Sequence, residues 1–198
     1  AHADEEAHAD EEAHADEEHH EHTGGDPHTW TDPNNVIIWV DNIAAELSRL
    51  APAHADQFAA NAERYRQELQ TLDTWVRAQV ELIPEANRKI VTDHAVFGYF
   101  AQRYGFEQVG AVIPSFNTMA EPSAQDIAAL EDAIRTLGVK AVFVGRTVSP
   151  DLARRVADDT GARLVPVYTG SLGEADSDAA TYPDFIRANV NAFVQALR

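Results

Sequence analysis

Cysteine is absent from all 198 residues. That removes disulfides, thiolate metal sites and a thiol nucleophile at once. It fits an oxidising compartment such as a periplasm without requiring one. Basic residues are scarce too, with 15 Lys and Arg against 33 Asp and Glu. So acidic a chain offers no footprint for nucleic acid or an anionic membrane surface. No apolar run approaches the roughly 20 residues of a membrane span, so no membrane insertion is expected. A charged segment followed by an apolar one, the mark of a signal peptide, is also missing. HExxH, GxSxG and a Gly-rich phosphate loop do not occur. Asp93-His94 with Ser115 or Ser171 could be drawn as a triad, but no local motif supports it.

What is present begins with a repeat. Residues 1–18 are three copies of Ala-His-Ala-Asp-Glu-Glu, followed by His19-His20-Glu21-His22. Residues 1–22 hold ten acids, six histidines and no Lys or Arg. The remaining 23 acids against 15 bases leave an excess of eight. A six-residue repeat of this polarity has no apolar face to bury, so disorder is expected without a ligand. His2, His8, His14, His19, His20 and His22 form a low-specificity cluster for zinc-like cations. A solvated acidic linker or a cloning tag would have the same composition. The chain opens in mid-repeat, which predicts a fragment whose N-terminus lies elsewhere.

After Thr23-Gly24-Gly25, Asp32 and Pro33 predict the N-cap and first residue of a helix to about Leu50. Its apolar positions are Val36, Val40, Ile43, Ala44 and Leu47. A longer helix follows from about His54 to Leu82, with Phe58, Ala62, Tyr65, Leu69, Leu72 and Val76 as its stripe. His54 reads as an exposed surface residue. From Arg88 the pattern alternates. Strands are predicted at 89–93, 107–113, 141–144 and 164–168. Helices are predicted at 95–104, from Ser123 to Leu137, from Ser149-Pro150 to Gly161, and at 182–197. This alternation implies an α/β fold with a parallel sheet covered on both faces. In such sheets ligands bind at the carboxyl ends of strands.

A zinc site needs about four nitrogen or oxygen donors gathered from distant loops. His28 stands in Asp26-Pro27-His28-Thr29-Trp30, where Pro27 stiffens the backbone and Trp30 supplies apolar cover. Read alone, His28 is equally well a solvated residue of a turn. His94 falls at the end of the first strand. Glu174, Asp176 and Asp178 lie in the loop after the last strand and are alternative carboxylate donors. If the sheet brings these loops together, two imidazoles and one carboxylate converge. Asp93 could orient an imidazole through a hydrogen bond.

Four segments in order carry a resemblance: Asp-Pro-His-Thr-Trp-Thr-Asp-Pro (26–33), Thr-Asp-His-Ala-Val-Phe-Gly-Tyr-Phe (92–100), Glu-Pro-Ser (121–123) and Thr-Gly-Ser-Leu-Gly (169–173). Over residues 19–198 the chain resembles the zinc- and manganese-binding periplasmic solute-binding proteins of ABC importers. The His-rich run resembles the charged loop of the zinc-type members. The resemblance implies two lobes joined by one long helix. It implies a tail at 1–25, a remnant of the first lobe at 26–55, the linking helix at 56–82 and the second, α/β lobe at 83–198. The resemblance further implies that most of the first lobe, with its metal-binding His, would lie outside this chain. The resemblance puts ligands at His28 and His94. Manganese members carry a carboxylate at the second position, so His94 favours Zn²⁺ over Mn²⁺. The family's last carboxylate ligand would fall near Thr169 or Gly170, where neither side chain can serve. A carboxylate further along the loop, or water, must replace it.

The function so implied is non-enzymatic: an extracytoplasmic subunit, periplasmic or extracellular and open to membrane anchoring, that delivers Zn²⁺ to a membrane permease of an ABC importer. A metallochaperone is a second partner for such a role, and a monomer is expected. The alternatives are a zinc-dependent hydrolase and a metal-buffering or cell-adhesion surface protein.

Overall fold

The computed structural model describes residues 25–116 and 119–198. His2, His8, His14, His19, His20 and His22 lie outside the described residues. A single 3-10 turn at Thr29–Thr31 leads into α1 (Pro33–Leu50). Asp32 caps α1 as the sequence predicts, its carboxylate accepting from the Asn34 N–H at 2.9 Å, with Pro33 in the first turn. α2 (Ala55–Val80) is 26 residues long, about 39 Å. It buries Ala62, Leu69, Leu72, Val76 and Val80, while Phe58 and Tyr65 are half-buried and His54 is exposed. α1 lies along α2 but buries only Pro33 and Val36. Ile43 and Leu47 of its apolar stripe border an open groove shared with Phe58 and Tyr65, and Ile38, Trp39 and Leu50 are exposed.

Beyond α2 come β1 (Lys89–His94), α3 (Gly98–Tyr104), β2 (Glu107–Ile113), α4 (Ala124–Leu137), β3 (Ala141–Gly145), α5 (Asp151–Thr160), β4 (Arg163–Val167) and α6 (Tyr182–Leu197). The four strands pair in parallel in the order β2-β1-β3-β4. Both faces are covered, because successive strand residues point to opposite sides. Ile90 and Phe143 pack with α2, α3 and α6, whereas Val91, Val142 and Val144 pack with α4 and α5. Local signals end and start the helices. Gly105, Gly138 and Gly161 adopt positive φ just past α3, α4 and α5. Ser123 and Asp126 form the capping box of α4.

α3 begins three residues later than predicted. The Ala95 N–H donates to the Ser115 carbonyl at 3.1 Å and the Val96 N–H to the His94 carbonyl at 2.8 Å. Residues 95–97 are therefore used to turn the chain off β1. β4 is an edge strand, and Pro166 removes one of its donors. Asn189 of α6 occupies the next position, accepting from the Tyr168 N–H and donating to its carbonyl, both at 2.8 Å. Among the described residues no helix is long and apolar enough to cross a membrane.

Asp73 ties α2 to its neighbours. It accepts from Asn34 and the Tyr104 hydroxyl at 2.9 Å each and from Arg77 Nε at 2.9 Å. Burial alone pushes its carboxyl up, but the bonds from Arg77, Tyr104 and Asn34 and the Arg77 charge outweigh it, leaving it below the ordinary range. The unfolded chain therefore takes up this proton first. The contribution is complete at neutral pH and is lost as pH falls through the ordinary aspartate value of about 3.9 towards the lower native one. Asp73→Asn should lower the urea midpoint at pH 7 and shrink its drop on acidification. An unchanged acid dependence would remove Asp73 from the group responsible.

Candidate metal centre

The strand order reverses between β1 and β3: the chain leaves β1 to form β2 on one side, then returns to form β3 on the other. The carboxyl ends of β1 and β3 therefore diverge into a crevice, the place where open parallel sheets bind ligands. His94 is the last residue of β1 and is buried there. His28 arrives from the far end of the chain and is also buried. The two ring centroids are 5.2 Å apart, with the planes at 66°.

Each imidazole is held from behind by a carboxylate. His28 Nδ1 lies 2.7 Å from Asp26 Oδ1, and the His28 N–H donates to the same oxygen at 2.9 Å. His94 Nδ1 lies 2.7 Å from Asp93 Oδ2, while Asp93 Oδ1 accepts from the Gly145 N–H at 2.9 Å. An ionised carboxylate only accepts, so each one favours the tautomer with the proton on Nδ1, which in a neutral ring leaves the lone pair on Nε2. Carboxylate-backed imidazoles of this kind are the usual form of histidine metal ligands. The spacing also fits. Two imidazoles bound at about 2.0–2.1 Å with a tetrahedral angle between them have centroids about 5 Å apart.

A cavity of about 340 Å³ opens over the pair, bordered by Trp30, Phe116, Met119, Val148, Thr169 and Gly170 among others. Trp30 fixes the His28 segment by donating its indole N–H to the Thr169 carbonyl at 3.0 Å. The Tyr182 hydroxyl donates to the Trp30 carbonyl at 2.9 Å. Burial, with Tyr65 and Asp32 acting in the same sense, raises the Tyr182 phenol far above its usual range, so it stays a donor. A Cβ at Gly145 would stand 2.6 Å from Thr169 Oγ1, so β3 and the loop after β4 meet closely only because Gly145 has no side chain.

The structure thus brings His28 and His94 together and sets Asp93 behind His94. It does not bring Glu174, Asp176 and Asp178 to them: no group of three His, Cys, Asp or Glu side chains suited to a metal occurs among the described residues. All three carboxylates are exposed. The loop folds on itself instead, with Gly173 N–H to the Ala179 carbonyl at 2.9 Å and Ser177 N–H to the Glu174 carbonyl at 2.9 Å. Asp178 accepts from the Tyr168 hydroxyl at 2.9 Å and borders a larger cavity, about 610 Å³, between β4 and α6. Two residues escaped the sequence reading. Asp26 backs His28, a partner that the Asp-x-His spacing could have suggested. Gly98 leaves Asp26 its room; it stands in the 92–100 segment, but nothing there shows which side chain it faces.

A family model described as zinc-uptake complex component A, periplasmic (ZnuA), matches residues 1–196. The manganese-binding lipoprotein MntA of Halalkalibacterium halodurans is 38% identical over 164 residues, 82% of this chain and 54% of that protein. The zinc-binding protein TroA of Treponema pallidum is 30% identical over 172 residues, 82% of this chain and 55% of that one. The solved structure of the periplasmic TroA superposes with a TM-score of 0.81 at 27% identity, covering 87% of this chain and 64% of that chain. The chain spans about half the length of the curated relatives it matches.

Proposed function

The chain belongs to the family of periplasmic zinc-uptake component A, and on that premise we propose that it binds Zn²⁺ outside the cytoplasm and hands it to the membrane permease of an ABC importer. It acts as a carrier and not as an enzyme. One observation carries the reading: two buried imidazoles, each backed by a carboxylate, face one cavity at the switch point of a parallel sheet. His28 and His94 supply two nitrogen ligands through Nε2. Water, or donors from outside the described residues, complete the shell. Glu174, Asp176 or Asp178 could join only if the 173–179 turn opened and, for Asp178, its bond to Tyr168 broke. In a two-lobed protein α2 is the linking helix.

A nitrogen-rich set favours zinc, since manganese prefers six oxygen-rich positions. Manganese is the second reading, because the 38% identical relative is a manganese-binding lipoprotein. Isothermal titration of the chain with each ion decides between them. Zinc is expected to outcompete manganese by orders of magnitude, and comparable affinities would reverse the assignment. Deleting residues 1–22 should remove several weak zinc sites and leave the tight one nearly unchanged, because a repeat whose sequence has no apolar face is expected to lose conformational entropy at each binding event. Protonation near pH 5 should release the weakly held ions first, as metal and proton compete for one nitrogen. Loss of the tight site on deletion would make the repeat a source of primary ligands.

A further inference from the structure

We propose that Gly98 is a positioning residue for the metal centre, acting through Asp26 on the tautomer and direction of His28. This rests on His28 being a ligand, but part of its test does not require metal. Gly98 opens α3 beside the chain that delivers His28. A Cβ there would lie 2.7 Å from Asp26 Oδ2 and 3.9 Å from its Cγ, and, apart from residues 97 and 99 and the helix's own backbone, no other atom of the described residues comes within 4 Å. The Tyr99 hydroxyl donates to the Asp26 carbonyl at 3.2 Å, holding the Asp26 backbone against the start of the helix. The carboxylate therefore fits between an imidazole and a helix that has no side chain at that point.

The backbone at Gly98 does not itself call for glycine. Positive φ occurs among the described residues only at Gly105, Gly138 and Gly161. Alanine is also the better helix former. Local folding thus favours Ala at this position, and the obstacle is one oxygen of a short side chain. That oxygen can move, but Asp26 Oδ1 is bonded to both His28 Nδ1 and the His28 N–H. Displacing the carboxylate costs the fold little and frees the imidazole to change tautomer, so that Nε2 no longer presents a fixed lone pair to the cavity. The cost falls on the site.

The test compares the full chain with Gly98→Ala, Asp26→Ala and the double variant. In metal-free protein, imidazole ¹⁵N shifts are recorded on the alkaline plateau of a pH series. His28 should be protonated on Nδ1 in the parent and mixed in all three variants. Zinc affinity should fall about tenfold in Gly98→Ala and in Asp26→Ala, as for other partners behind a metal-bound His. The double variant should bind no more weakly than Asp26→Ala, because the obstacle is gone. An unchanged tautomer in Gly98→Ala, or losses that multiply in the double variant, would overturn the proposal. If Gly98→Ala fails to fold, a folded double variant upholds the steric route through Asp26, and an unfolded one sinks it. A parent chain that binds no zinc removes the metal reading, while the ¹⁵N arm still decides whether Gly98 governs His28.

Discussion

Zinc affinity is expected to fall at least tenfold on His94→Ala, and by a similar factor on His28→Ala. On the proposed reading each substitution removes one of two preset nitrogen donors, and a tenfold loss corresponds to only about 1.4 kcal/mol. The positions differ in their side effects. His94→Ala leaves Asp93 Oδ2 without the imidazole donor in a buried setting, a cost of about 1–3 kcal/mol to the fold. Asp26 is better placed to recover, since it keeps the backbone N–H at residue 28. Thermal unfolding of each variant separates lost ligation from lost structure, and exposed His54→Ala serves as the control. Competition with a chelator reads the affinity. Parent-like affinity in either variant would take that histidine out of the centre.

The largest loss of stability should come from Phe193→Ala in α6. Its ring is fully buried and lies 4.7 Å from that of Phe143, 5.2 Å from Phe97, 5.3 Å from Phe100 and 6.0 Å from Phe106. One side chain thus joins β3, α3 and the segments on either side of α3. Truncating a buried phenylalanine costs about 3–5 kcal/mol, lost transfer energy plus a cavity. That is a large part of the roughly 5–15 kcal/mol available to a whole domain. Phe193→Leu should cost clearly less, because it fills much of the same volume. Urea unfolding measures both. A loss below about 1 kcal/mol for alanine would mean that the aromatic cluster relaxes around the gap, against the close packing of interiors.

The element pattern was largely legible because it rests on local chemistry. Asp32-Pro33, Ser123-Asp126, Gly105 and Gly161 mark helix ends by hydrogen bonding and backbone freedom, which act within a few residues. The exception at α3 has a non-local cause, the Ala95 bond to Ser115. The stripe of α1 announced a helix, but periodicity does not name the surface that a stripe will meet, and much of it is exposed. At the candidate site, residue type and position singled out His28 and His94, and the structure sets their rings 5.2 Å apart. The position of the loop carboxylates, exposed and away from the two imidazoles, was not legible, because distance along the chain does not reveal that residues 173–179 close on themselves. Asp26 and Gly98 act through a contact across 72 residues, and no short motif records such a contact.

The bonds from Trp30 to Thr169 and from Tyr182 to Trp30 span 139 and 152 positions. Their consequence concerns time more than strength. Synthesis proceeds from the N-terminus at about 5–20 residues per second, so His28 leaves the ribosome well before the groups that anchor its segment. Even after His94 has emerged, β3, β4 and the start of α6 must still appear before the two imidazoles can be held face to face. Contacts so distant in sequence also form late in folding, since a large loop must close before they stabilise anything. The pairing of the two imidazoles is therefore completed only as the last helix docks. A nascent or truncated product ending before residue 182 would carry both histidines and still lack the pair.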